Sequence, residues 1–158
     1  MRVRKLGIFL IAAAMLAMVG CGVKLEKTAV TPDDFATAVE DLGFEVFDDT
    51  ADYNTDVGIT TSIYGVDDDH TESYEFYVFE SVDAANAQMD SMQQQIEDMD
   101  ASDKSQSTMS GNNYSVLKVT ADGVYYHVCA VDNTLFYGSS VVAKKSNIEE
   151  FAKKLGYN

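Results

Sequence analysis

The stretch from residue 113 to 142 constrains the fold most. Three β-rich runs, Asn113 to Thr120, Val124 to Val131 and Thr134 to Val142, are joined by Asp122-Gly123 and Asp132-Asn133. Both pairs have the chemistry of two-residue hairpin loops, so the three runs form an antiparallel meander. Closing the turns also sets the register. Val119 falls opposite Tyr126, Leu117 opposite Val128, Val128 opposite Tyr137 and Ala130 opposite Leu135, giving one apolar face. The other face carries Tyr114, Val116, Lys118, Tyr125, His127, Cys129 and Phe136, with Lys118 opposite His127. A slip of one residue would exchange the faces, so the sorting depends on the turns.

Helix punctuation brackets this segment. Thr31-Pro32-Asp33-Asp34 supplies an N-cap, a proline at the first helical position and first-turn acids. Phe35, Ala38, Val39 and Leu42 follow along one face, and Gly43 stops the helix. Near the end of the chain, Ser146 to Glu149 reads as a capping box, with Ile148, Phe151, Ala152 and Leu155 as the apolar stripe and Gly156 as the stop. A third helix is predicted from Val82 to Met99, where Ala85, Met89, Met92, Ile96 and Met99 recur at helical spacing. Copper binding by the methionines is the alternative reading; core packing is the simpler one. Short strands are expected at Phe44 to Phe47, Gly58 to Tyr64 and Ser73 to Phe79, and a Ser-rich mobile loop at Ala101 to Asn112. The expectation is a single α+β domain in the order α-βββ-α-βββ-α: a largely antiparallel twisted sheet with about three helices packed mainly on one face.

The N-terminus carries an address. Arg2, Arg4 and Lys5 precede an apolar run from Leu6 to Val19, and the junction reads Met18-Val19-Gly20-Cys21. Fourteen apolar residues fall short of the roughly 20 that span a bilayer core. Residues 1 to 22 resemble the signal peptide and lipobox of bacterial lipoproteins, with Met18 in place of the usual leucine. The resemblance implies cleavage after residue 20 and a lipid-modified (palmitate-bearing) Cys21, hence a protein anchored on the extracytoplasmic face of the cell membrane. Residues 21 to 30 then read as a tether and 31 to 158 as the folded body. Cys129 is left as the lone thiol, so no intrachain disulfide can form.

Charge is sorted along the chain. Without residues 1 to 20, eight basic residues face 26 acidic ones. Between Lys27 and Lys104 stand 21 carboxylates and no lysine or arginine. Such a half repels nucleic acid and anionic headgroups, and attracts cationic partners or divalent ions. Solubility and stand-off from the membrane are the plain explanation.

Chemistry-bearing constellations are few. Lys118, Tyr125 and His127 share a strand face, and Cys129 lies two residues beyond His127. Same-face neighbours stand about 7 Å apart, too far for a direct nucleophile–base bond. Asp52, Asn54 and Asp56 alternate oxygen ligands as a calcium loop does, but Val57 and Ile63 stand where that pattern needs glycine and a bidentate acid. The run Asp67 to His70 has ordinary turn composition. No phosphate-binding glycine loop, zinc spacing or nucleophile elbow is present. The reading is a non-catalytic, membrane-tethered binding or accessory lipoprotein of the envelope that captures cationic proteins or peptides and needs no cofactor, with the mixed strand face of Lys118, Tyr125 and His127, or the acidic half, as its contact surface. The alternatives are an enzyme using Lys118, Tyr125 and His127, and a calcium-dependent structural module.

Overall fold

The computed structural model describes residues 26–53 and 57–158. The signal segment, Cys21, Asn54 and Asp56 therefore lie outside the described residues. The element order is α1 (Pro32–Glu40), β1 (Glu45–Asp48), β2 (Ile59–Val66), β3 (Glu72–Phe79), α2 (Val82–Glu97), β4 (Ser105–Ser110), β5 (Tyr114–Ala121), β6 (Val124–Val131), β7 (Thr134–Val141) and α3 (Lys145–Leu155). The strands form one antiparallel sheet in the order β1-β2-β3-β7-β6-β5-β4. Two meanders thus meet along β3 and β7.

Both turns of the second meander set the expected register. Val119 pairs with Tyr126, Lys118 with His127, Val128 with Tyr137 and Ala130 with Leu135. Asp122 and Gly123 take left-handed backbone angles, as does Asp132. That is what fits a two-residue loop to the twist of its strands.

The sheet is the middle of three layers. On one face Phe76, Val116, Tyr125, Cys129 and Phe136 pack against Phe35 and Val39 of α1 and Ile148 and Phe151 of α3. On the other, Tyr77, Leu117, Val128 and Leu135 pack against Ala85, Met89 and Ile96 of α2. Two helices share a face and the third takes the opposite one. Close approach depends on two glycines: a Cβ on Gly65 would run into Val39 of α1, and one on Gly138 would sit 2.7 Å from a methyl of Ile148 in α3.

Three expectations change. The segment read as a mobile loop at 101–112 contains β4, which pairs with β5 from Ser105–Thr120 to Ser110–Ser115. All six of its side chains are exposed, so no apolar alternation announces it; backbone pairing alone makes the strand. Lys104 and Asp103 pin its start. The Lys104 ammonium donates to the carbonyls of Ile96, Glu97 and Met99 at the end of α2, and Asp103 accepts from the Asp122 N–H. Second, α3 opens at Lys145 after a 3-10 turn at Val142–Lys144, without a side-chain cap, so Ser146 lies inside the helix. Third, residues 26–30 pack on the body instead of standing clear of it. The Lys27 ammonium donates to the Gly156 carbonyl, Lys27 and Asn113 exchange two hydrogen bonds, and the Val30 N–H donates to the Tyr157 hydroxyl.

Candidate functional site

The strand face that the sequence offered as a contact surface is covered. Tyr125 and His127 are 1% and 0% exposed, beneath α3 and the chain end; Lys118 is half-buried at the side. His127 Nε2 lies 2.9 Å from the Tyr157 carbonyl, which only accepts, so this nitrogen carries the proton. Its Nδ1 faces the Tyr125 hydroxyl at 3.5 Å, and that hydroxyl donates to Glu149 at 3.2 Å. Burial, against the pull of the Tyr157 carbonyl, lowers the His127 pKa to about 4. The imidazole is therefore a neutral, hydrogen-bonded core group. Cys129 is fully buried, and burial pushes its thiol up to about 12, far from a reactive thiolate. The outer side of the Tyr125 ring carries Lys145 at 4.8 Å, over a shallow hollow of about 200 Å³ that Lys118 and Glu149 also line.

Of the weak calcium candidates, Asp52 closes a 3-10 turn, Thr50–Asp52. Among the described residues no cluster of three or more His, Cys, Asp or Glu side chains has a metal-holding arrangement.

The carboxylates converge elsewhere, at the end of the sheet where β2 turns into β3. Asp67 accepts from the Thr71 N–H and hydroxyl, both at 2.6 Å, and from the Glu72 N–H at 2.9 Å, so its side chain organises the turn. Lys144, brought in by the turn before α3, bridges Asp67 at 2.7 Å and Glu72 at 3.0 Å. Tyr74 donates to Glu72 at 2.9 Å and Asn147 donates to the same carboxylate. Burial works against charge on Asp67, yet the donors from Lys144, Thr71 and the Glu72 backbone outweigh it and hold its pKa far below the usual carboxylate range. Asp67 therefore stays ionised in a site that is largely shielded.

Two hollows flank this pair and share Phe44 as a wall. One, about 530 Å³, has an apolar floor of Leu42, Phe44, Tyr74 and Phe151, rimmed by Glu72, Glu150, Asn147 and Lys154. The other, about 470 Å³, lies among Glu45, Phe47, Val66 and the turn from Asp67 to His70. Lys154 is drawn off by Asp41 at 3.0 Å. Asp67 and Glu72 are matched by Lys144, but Glu45, Asp68, Asp69 and Glu150 are in no ion pair among the described residues, and such acids beside an apolar floor suit a cation that carries hydrocarbon, such as a lysine or arginine side chain. Sequence reasoning passed over Asp67 because an Asp run is ordinary in a turn. The hydroxyl four residues on was the one local sign; Lys144 lies 77 residues away.

Neither a family model nor a curated protein sequence matches the chain. One solved structure, described as a GTP binding regulator from Thermotoga maritima, is similar over 81% of this chain and 88% of that one, at 16% identity and a TM-score of 0.49. That likeness is too slight to carry an argument about fold or function.

Proposed function

We propose that the protein is a membrane-tethered, non-catalytic binding lipoprotein of the bacterial envelope, anchored through Cys21, that captures cationic proteins or peptides. The observation that supports this reading most is the cleft at the β2–β3 end. There Glu150 stands at the rim of an apolar floor, and Glu45, Asp68 and Asp69 line the adjoining hollow across Phe44, while Asp67 and Glu72 between them are held by Lys144. A cationic side chain would exchange water for carboxylates while its stem covers Phe44 and Phe151. The enzymatic reading draws no comparable support, since a substrate would have to reach groups beneath α3.

The test is surface binding of arginine- and lysine-rich peptides at low and physiological salt. Saturable binding should slow in association as salt rises, because exposed charges are screened over about 8 Å at physiological ionic strength. Replacing the exposed rim by Asp68→Asn, Asp69→Asn and Glu150→Gln together should weaken it. No saturable binding, or equal binding by the rim variant, would overturn the reading. The anchor is tested separately: Cys21→Ala should leave the membrane fraction, and its retention after alkaline washing would refute lipidation.

A further inference from the structure

On the face that packs against α2, one corner of the sheet is only partly covered among the described residues, with Thr50 bonded to Ser62 and Tyr53 packed on Tyr77 at its side. α2 is capped by Ser81 just beyond β3, and its buried residues Ala85, Met89 and Ile96 lie over Leu117, Val128 and Leu135. The opposite corner holds a straight cross-strand row through β1, β2, β3 and β7: Phe47 opposite Tyr64, Tyr64 opposite Glu75, and Glu75 opposite Tyr137. Phe47 is exposed, and Tyr64, Glu75 and Tyr137 are half-buried. The Phe47 and Tyr64 rings stack at 5.1 Å.

Glu75 is the charged group of this row. Tyr77 donates to one of its oxygens and Ser73 to the other, fixing the carboxylate in place. An ionised carboxylate has about four acceptor positions, so these donors leave room for more. Among the described residues no ion pair involves Glu75. Burial, and to a lesser extent the nearby Asp49 charge, push its pKa up despite both donors. Aromatic faces attract a cation, and a planar guanidinium both stacks on a ring and forks onto a carboxylate, which a compact ammonium cannot do.

We propose that this corner is a docking surface for an arginine side chain of a protein partner, its guanidinium laid on Tyr64 and Tyr137 and paired with Glu75. Charge complementarity selects the occupant: a half-buried carboxylate amid aromatic rings, with Asp49 as a further acidic neighbour, has no ion-pair cation of its own among the described residues. The inference rests on the reading that partners are cationic, and it adds a second, more selective contact to the cleft.

The experiment is a titration of the full chain in detergent with a blocked glycine–arginine pentapeptide, its lysine counterpart and choline, followed by NMR of tyrosine rings and by calorimetry. The arginine peptide should shift the Tyr64 and Tyr137 rings. Its affinity should fall about tenfold in Glu75→Gln, which keeps the side chain's shape and one of its two acceptor oxygens. Tyr64→Leu, a half-exposed site, provides a second variant if the first disturbs the fold. Unchanged affinity in folded Glu75→Gln and Tyr64→Leu would overturn the proposal, as would choline or the lysine peptide binding equally well. Shifts confined to Tyr74 would place binding in the cleft, refuting this corner while sparing the broader reading. No saturation by either peptide would defeat both.

Discussion

His127 shows how far one residue's role depends on what covers it. With a folded pKa of about 4 against an ordinary 6.5, the unfolded chain takes up the proton first on acidification. The stabilisation is whole above about pH 6.5 and is lost as pH falls toward 4, amounting to about 3 kcal/mol for a fully buried ring. Urea unfolding at pH 7 and pH 4.5 should therefore show a smaller drop in His127→Gln than in the wild type, whatever the variant's stability at pH 7. An equal drop would mean that the ring meets solvent. From sequence, the strand partners of His127 were legible, because the two hairpin turns dictate them. Its burial was not. That depends on Tyr157, 30 residues away, whose carbonyl accepts the imidazole N–H and whose ring lies in the core.

At the scale of elements, legibility followed local chemistry. Thr31 caps α1 with a reciprocal bond to Asp34, as the Thr-Pro-Asp-Asp grammar implies, and β6 spans the residues expected of it. β4 escaped because an edge strand of exposed serines, glutamine and threonine carries no period of two. α3 begins elsewhere than its capping-box sequence indicates because Lys144 is held by Asp67 and Glu72, which shapes the turn before the helix. The fit of α1 to β2 can be tested directly. Gly65→Ala places a methyl against Val39 and 3.2 Å from the Glu45 carbonyl, and should cost about 1 to 3 kcal/mol by overpacking. Combining it with Val39→Ala should cost less than the two changes summed, since the second relieves the first. Strict additivity in urea unfolding would show that the helix does not press on the strand there.

For the molecule as a whole, the place where residues 26–30 are fastened sets direction. They bind Asn113, Tyr157 and Gly156, and Asn113 also reaches Asp132, so they sit at the sheet end that carries the β6–β7 turn. The acidic turn from Asp67 to His70 lies at the other end, because β3 runs antiparallel to β7 with Glu72 opposite Ser140 and Val78 opposite Thr134. An eight-residue strand separates the ends by about 26 Å. With Cys21 acylated as proposed, only the chain between Cys21 and Glu26 remains as a leash, at most about 18 Å long. The leash is shorter than the body. On vesicles carrying the protein through Cys21, a tryptophan at Asn112 should transfer energy efficiently to a dansyl headgroup, and one at Asp69 much less; the chain has no tryptophan of its own to interfere. Equal transfer would contradict the arrangement. So anchored, the domain could lean on the bilayer but not invert; its acidic pole would point outward, and a basic partner would meet it before meeting the anionic lipid that competes for the same charge.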